Sequence, residues 1–332
     1  VQFYVTEEAS EQQISSVAQW EQMRWKLKRN VQAVMGTFPG SEAMSESLMP
    51  NVTDTIEEKN YHRYTLAIPA DTDEWIPAYL YVPKRIGISG KLPAAVALHP
   101  TGAIGKDIVD GQGRPNRGYA RELAERGYVV IAPDYPSFGD LSNYDFDKDA
   151  YESASMAAIC NHMRCIDFLE NHSMVDAQRI GVIGHSLCGH NALFLAAFDE
   201  RVKVVVTSCG WTQFEFYDIG PSDIERYGGR LGPWAQDRYM PWIREKYNLN
   251  GELLPFNFHE ILALIAPRAC FTNAPTNDAN FAVDGVTEGI SKVRPIYRFL
   301  HVDDHLQVRH PNAAHDFPTE VRRASYEFID QH

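Results

Sequence analysis

The rhythm of apolar and polar positions changes several times along this chain. From about Glu11 to Met35 the residues Ile14, Val17, Trp20, Met23, Leu27, Val31 and Val34 recur at helical spacing, with Trp25 off the stripe. That spacing predicts an amphipathic helix. Gly36 ends it, and a Pro-, Gly- and Ser-rich stretch runs to about Pro50. Two strand-like runs, Tyr61–Pro69 and Trp75–Pro83, predict an opening antiparallel pair. Then come short runs that are apolar throughout: residues 94–98, 129–132, 180–183, 202–206 and 269–271. Strands apolar on both faces belong to a buried parallel sheet. Helix-like stretches at 119–126, 151–170 and 188–197 lie between most of them. The alternation predicts an α/β fold over residues 51–332, a mostly parallel sheet with helices on both faces. Residues 1–50 form an N-terminal helix and linker on this reading.

One segment breaks the alternation. Residues 211 to about 265 separate two strands and carry Trp211, Phe214, Phe216, Tyr217, Tyr227, Trp234, Tyr239, Trp242 and Tyr247. A crossover helix does not need that length. The segment reads as an aromatic-rich insertion over the C-terminal edge of the sheet, where ligands bind in open α/β folds. A helical flap with a small core of its own is the competing reading.

Composition narrows the classes. A length of 332 residues with 44% hydrophobic residues suits one α/β domain with an insertion. A formal charge of −13 argues against nucleic acid or an anionic membrane as the main partner, because phosphate binding needs a basic face. No apolar run is long enough to span a bilayer. Oligomeric state is not legible. The five cysteines, Cys160, Cys165, Cys188, Cys209 and Cys270, are odd in number and sit in or beside predicted elements. They read as small core residues rather than a disulfide framework or a metal site. Asn51 and Asn171 each begin an Asn-x-Ser/Thr triplet, a pattern common by chance. The first residue is Val1 rather than Met, as after removal of an export leader or trimming.

The most informative stretch is Ile180-Gly181-Val182-Ile183-Gly184-His185-Ser186-Leu187-Cys188-Gly189-His190. A buried strand runs into Gly184, Ser186 follows at a sharp turn, and a helix starts at once. That is the setting of a G-x-S-x-G nucleophile elbow. Here Cys188 stands at the second Gly position and Gly189 comes one residue later. Ser186 is the expected nucleophile; a plain N-cap serine and Cys188 as nucleophile are the alternatives. A serine needs a general base and an orienting acid, in the chain order Ser, acid, His. His315 lies between a predicted last strand, residues 306–309, and a final helix from Thr319, and is preferred to His310. Asp278, after the strand at 269–273, is preferred as the acid to Asp284, Glu215 or Asp218. The oxyanion donors are expected from the N–H of Leu187 and from the loop His99-Pro100-Thr101-Gly102. Pro100 has no N–H, so Thr101 comes first and Gly102 next.

Other candidates are weaker. His301-Val302-Asp303-Asp304-His305 resembles a metal cluster on paper but reads as a solvated turn. Asp134 follows a strand and reads as a structural anchor, with Tyr135 and Ser137 near the expected pocket. His185, His190 and Asn191 flank the elbow as packing groups. His99, Tyr135, Trp211 and Trp234 are the candidate substrate-binding residues.

The elbow Gly184-His185-Ser186, the loop 99–102, Asp278 and His315-Asp316-Phe317-Pro318 together resemble the α/β-hydrolase superfamily over roughly residues 60–330. Within it they are similar to the dienelactone hydrolase, acetyl-xylan-esterase and prolyl-oligopeptidase-like branch. The Ser-x-x-Gly spacing, Ser186 to Gly189, also resembles glucuronoyl esterases, which usually carry Arg directly after the Ser where this chain has Leu187. The resemblance implies hydrolysis of carboxylic esters, with carbohydrate-linked acetyl or methyl esters as one substrate class. It implies attack by Ser186, His315 as base and then acid, Asp278 holding the imidazole, and release of an acyl-enzyme by water. No metal or organic cofactor is implied. A serine peptidase and a non-catalytic hydrolase-fold binding protein are the alternatives.

Overall fold

The computed structural model describes residues 1–38, 48–70, 74–84, 90–148 and 150–332. In chain order the elements are β1 (Gln2–Val5), β2 (Ser10–Gln13), α1 (Val17–Met35), β3 (Asn51–Glu57), β4 (Tyr61–Pro69), β5 (Trp75–Pro83) and β6 (Leu92–Leu98). Then follow α2 (Tyr119–Glu125), β7 (Val129–Pro133), α3 (Ala154–Asn171), β8 (Val175–His185), α4 (Leu187–Phe198) and β9 (Val202–Ser208). The last part holds α5 (Pro221–Tyr227), α6 (Trp242–Glu245), α7 (Phe258–Ile265), β10 (Ala269–Asn273), α8 (Val283–Phe299), β11 (Leu306–Arg309) and α9 (Thr319–Gln331).

Nine strands form one sheet in the order β11-β10-β9-β8-β6-β7-β5-β4-β3. Strands β7, β6, β8, β9, β10 and β11 run parallel, and β5, β4 and β3 pair antiparallel at one edge. The continuous apolar runs of the sequence are the central strands, buried on both faces. In β6, Ala94, Val96 and Leu98 face one core, shared with α1, α3, α4, α7 and α8, while Ala95 and Ala97 face a second, shared with α2 and α9. Helix α4 is apolar nearly all round because it is covered by the sheet and by other helices, and every residue from Leu187 to Ala197 is buried. The mostly parallel sheet with helices on both faces is the one expected from the alternation, and it is of the α/β-hydrolase type that the resemblance implied.

Two boundaries differ from the periodicity. The first helix begins at Val17, where the Ser16 side chain accepts the Gln19 N–H, and not at residue 11. Residues 10–13 instead pair antiparallel with residues 2–5, and Ile14, fully buried, bonds back to Val1. Ile14 continued the apolar stripe because the hairpin and the helix bury against the same surface. The aromatic excursion also ends earlier than residue 265. Helix α7, started by an Asn257–Glu260 capping box, packs on α4 and α8 as an ordinary sheet-flanking helix. All five cysteines are buried and none forms a disulfide. Among the described residues no helix is long and apolar enough to cross a membrane.

Candidate active site

The C-terminal edge of the parallel strands carries the polar groups. Strand β8 ends at His185, and Ser186 adopts φ 55° and ψ −123° before α4 begins. A left-handed φ is strained for any side chain other than glycine's, and strain of this kind persists where surrounding structure over-determines it. Here the Ser186 N–H is held by the Ser208 carbonyl at 2.9 Å. The small neighbours are required by contact. A Cβ on Gly184 would lie 1.9 Å from the Cys188 carbonyl oxygen, and one on Gly189 would lie 2.6 Å from the Gly210 Cα. Gly189 is therefore the glycine the elbow needs, one position later than the common pattern. The Cys188 side chain is buried, and burial pushes its thiol well above the usual range. A thiol kept protonated is a poor nucleophile.

Three groups converge at this turn. His315 Nε2 lies 2.9 Å from Ser186 Oγ, and His315 Nδ1 lies 2.9 and 3.0 Å from the two oxygens of Asp278. Asp278 follows β10, and its side chain is nearly inaccessible. Oδ1 also accepts the N–H groups of Asn280 (2.8 Å) and Phe281 (3.2 Å), which fix the carboxylate's orientation. With Nδ1–H donating to the carboxylate, Nε2 is free to accept the serine proton. The alternatives lie elsewhere. His310 donates from Nδ1 to the Ala274 carbonyl, Glu215 accepts from Asn257, and Asp218 accepts the Gly220 N–H. Asp284 sits in the first turn of α8.

The loop bearing His315 is clamped by residues that nothing in the sequence pattern singled out. Arg117, 5% exposed, donates to the His315 carbonyl at 3.1 Å and to Asp316 Oδ1 at 2.6 Å. Asn273 Nδ2 donates to the Asp316 carbonyl at 2.9 Å, and the Cys209 thiol donates to that oxygen at 3.2 Å. Sequence spacing could not reveal Arg117, since it reaches His315 across 198 residues.

Leu187 is the first residue of α4, so its N–H is one of those a helix leaves without an intrahelical acceptor. Thr101 borders Ser186 in the same cavity. Its loop is anchored by a buried network. Asp134 accepts the Lys106 N–H at 2.8 Å and Lys106 Nζ at 2.6 Å, and Asp140 also bonds that ammonium at 2.6 Å. A Cβ on Gly105 or on Gly139 would lie 2.1 Å from the Asp134 carboxylate, so both positions must be glycine.

Two clefts meet at Ser186, and Thr101 and Asn280 line both. The first, of about 280 Å³, is walled by Leu187, Tyr217, Tyr227, Trp234, Tyr239 and Phe281. Trp234 packs against His190 at a centroid distance of 4.7 Å, and its Nε1 has no hydrogen-bond partner. Burial pushes His190 down to about 3, so it is neutral. The second cleft, of about 470 Å³, is lined by His315, His185, Arg114, Arg117, Ile104 and Ile108 among others.

Of the four expected substrate contacts only Trp234 lines these clefts. Trp211 is 1% exposed and stacks on Phe258, a core position under the excursion. The Tyr135 ring is buried, and its hydroxyl donates to the Arg238 carbonyl at 2.7 Å. His99 is fully buried; Nε2 accepts the Tyr135 N–H at 2.9 Å and Nδ1 donates to the Pro100 carbonyl. Burial lowers its basicity. His99 and Tyr135 thus support the loop from beneath, and Tyr217, Tyr227 and Tyr239 take the places expected for them.

The 301–305 stretch is spread over other contacts. Asp303 pairs with Arg294 and Arg298, and His305 donates to the Pro267 carbonyl. Among the described residues the one group with metal-compatible spacing is Cys209, Asp278 and His315, whose ligand-type atoms lie within 4.8 Å of one another. The fit to a metal is poor: His315 and Asp278 already bond each other, and burial pushes the Cys209 thiol up and keeps it protonated.

A family model described as glucuronyl esterase, fungi, matches residues 142–300, just under half of the chain. The hydrolase YtaP of Bacillus subtilis (strain 168) is 23% identical over 93% of this chain and 99% of its own length. A 4-O-methyl-glucuronoyl methylesterase of Wolfiporia cocos (strain MD-104) is 26% identical over 57% of this chain, which spans only 48% of that protein. Among solved structures, a glucuronoyl esterase from Solibacter usitatus superposes with a TM-score of 0.73 at 19% identity, covering 96% of this chain and 94% of its own. An acetyl xylan esterase from Paenibacillus sp. R4 gives a TM-score of 0.59 at 17% identity, covering 98% of each chain. Identities this low speak for the fold.

Proposed function

From the premise that the chain is a serine-type carboxylic ester hydrolase of the α/β-hydrolase fold, we propose that it cleaves esters of a carbohydrate acid through an acyl-enzyme on Ser186. The observation that carries this is the unbroken relay from Asp278 through His315 to Ser186 Oγ at 2.9–3.0 Å per step. His315 takes the serine proton as Oγ attacks the ester carbonyl, and Asp278 keeps the imidazole in the required tautomer and stabilises its cation. The N–H groups of Leu187 and Thr101 bind the oxyanion. His315 then protonates the departing alcohol, and the same three groups activate water to release the acid.

The two clefts divide the substrate. The alcohol oxygen must face His315, the acid that protonates it, so the cleft lined by His315 takes the alcohol. The aromatic cavity, which His315 does not line, takes the acyl part. Its tyrosine and tryptophan walls suit a ring with apolar faces and a hydroxylated rim. The relatives named for glucuronoyl ester cleavage support the same acyl class. An acetyl group would leave most of the cavity empty.

The test compares methyl glucuronate with acetylated xylan, using wild type and Ser186→Ala. Turnover of the uronate ester, lost by a factor of about 10³ or more in Ser186→Ala, is the expected result. Turnover of acetylated xylan alone would show that the acyl assignment is wrong, and equal rates in the two proteins would remove Ser186 from the chemistry.

A further inference from the structure

The loop after β6 is held by its carbonyls. The Tyr119 hydroxyl donates to the Leu98 carbonyl, the Gly105 N–H to that of Gly102 at 3.0 Å, and the Gly139 N–H to that of Ala103 at 3.1 Å. Between these, His99 Nδ1 donates to the Pro100 carbonyl at 2.8 Å. The Thr101 N–H, by contrast, has no acceptor among the described residues. The hydrogen bonds leave His99 one tautomer. The Tyr135 N–H, 2.9 Å from Nε2, can only donate, so Nε2 carries no proton. A carbonyl can only accept, so Nδ1 carries it. The ring is fully buried, and burial lowers its basicity although the Asp134 carboxylate lies 3.9 Å from Nε2. The imidazole is therefore neutral, with its one N–H aimed at Pro100.

That bond acts on the next peptide. The proline ring fixes φ of Pro100. The Pro100–Thr101 plane can still turn, through ψ of Pro100 and φ of Thr101 together, and the bond from His99 resists the turn. The plane is trans, since among the described residues the one cis bond is Ala266–Pro267. In a trans peptide the C=O and N–H point in opposite directions. His99 draws the carbonyl toward the buried ring, so the Thr101 N–H points away from it, to the side where Thr101 borders Ser186 in both clefts.

We propose that His99 is a positioning residue that aims the Thr101 N–H at the oxyanion by holding the Pro100 carbonyl, with the Tyr135 N–H holding the ring in turn. The inference rests on Thr101 being the second oxyanion donor. His99 touches no substrate. Its effect falls on the transition state, because a donor fixed in advance spends no energy on reorientation as charge builds on the ester oxygen.

Two substitutions separate the ring nitrogens. His99→Asn keeps an N–H near the Nδ1 position and loses the acceptor for Tyr135. His99→Gln reaches the Nε2 position and leaves the Pro100 carbonyl without its donor. The whole chain is assayed with p-nitrophenyl acetate and with two inhibitors, trifluoroacetophenone and acetophenone. Ser186 Oγ adds to the carbonyl carbon of the fluorinated ketone, its proton passes to His315, and the carbonyl pair becomes an oxyanion; acetophenone fills the same space as an intact ketone. His99→Gln should lower kcat/KM about 30-fold and weaken trifluoroacetophenone by a similar factor, with acetophenone changed by no more than about twofold. His99→Asn should stay within about fivefold of wild type in each. Equal losses in the two variants, or a parallel loss of acetophenone binding, would mean that His99 only fills space, and would overturn the proposal. Should His99→Gln not fold, His99→Asn decides alone: values near wild type support the Pro100 bond, and a loss of about 30-fold overturns it. Thr101→Pro removes the N–H itself and should weaken trifluoroacetophenone about 100-fold. If Thr101→Pro binds it as wild type does, the oxyanion reading of Thr101 fails and this inference with it. If Thr101→Pro loses affinity and His99→Gln does not, the oxyanion reading stands and the role of His99 falls alone.

Discussion

Ser186 stands between two regions ordered in different ways. On one side is the sheet edge, where Ser186, Asp278 and His315 follow β8, β10 and β11 and are joined side chain to side chain by hydrogen bonds, with Asp278 and the Asp316 carbonyl held by further donors. On the other is the excursion of residues 211–257, built from helices of seven and four residues and held by ring packing, as in Trp234 against Phe214, Tyr217, Phe258 and Phe281. Hydrogen bonds fix position and angle to a few tenths of an ångström; ring packing fixes a volume and tolerates adjustment. Proton transfer needs the first kind of order and ring-shaped selectivity is satisfied with the second. The difference predicts that substitutions at the edge lower kcat, while substitutions in the excursion raise KM or cost stability.

The sharpest trial of that division is Asp278→Asn. The amide keeps the volume but offers a donor where Nδ1–H needs an acceptor, so the wrong tautomer faces Ser186. A fall in kcat of about 10³–10⁴ with little change in KM is expected from steady-state kinetics. A loss confined to KM would mean that Asp278 only shapes the pocket. Arg117→Gln comes next. The clamp on His315 is lost, but Asn273 still holds the Asp316 carbonyl, so kcat should fall by about 10- to 100-fold. Arg117→Lys, which can still reach one acceptor, should recover part of this. An unchanged kcat in Arg117→Gln would show that Asn273 alone holds the loop.

The same contrast explains how far the sequence could be interpreted. The central strands were legible because burial on both faces leaves an uninterrupted apolar run, and β4 and β5 coincide with the expected ranges. The elbow was legible because its geometry excludes Cβ atoms at residues 184 and 189, and the order Ser186, Asp278, His315 follows from strand order. Arg117 and Asn273 left no trace, since their partners are distant in sequence and their types are ordinary. Within the excursion, composition marked an aromatic region but could not divide core rings from cavity rings. Trp211 and Trp234 look alike in the chain, and only packing decides that Trp211 lies beneath α8 and Trp234 faces the cavity.

Those two tryptophans test the excursion directly. Trp234→Ala removes a wall of the acyl cavity, and KM for the preferred ester should rise about tenfold with kcat reduced less, the loss of one stacked aromatic contact. Trp211→Ala removes a buried core ring, and should cost about 3–5 kcal/mol in denaturant unfolding while KM stays close to wild type. If Trp211→Ala raised KM as much as Trp234→Ala at equal stability, the core and cavity rings would not be separable.

The smallest effect concerns where the excursion joins the body. Glu260, at the start of α7, accepts the N–H of Thr6 at 3.0 Å and of Asn257 at 2.7 Å, tying the β1–β2 hairpin to α7. Burial raises its carboxyl from 4.5 to about 7, against the pull of those N–H donors. The sign follows from the direction of the shift. A folded-state value above the unfolded one means that the folded chain holds a proton the unfolded chain has lost between about pH 4.5 and 7. This contribution is therefore full below pH 4.5, declines as pH rises through 7, and is absent above. Glu260→Gln cannot titrate, and it leaves one N–H without an oxygen acceptor, so its stability should be lower at pH 5. Between pH 5 and 8 its Tm should then fall by a few degrees less than that of wild type, the equivalent of about 1–3 kcal/mol in a chain of this size. Parallel Tm–pH curves for the two proteins would mean that the hairpin stays docked without help from this carboxyl, and that the excursion is tied to the body by packing alone.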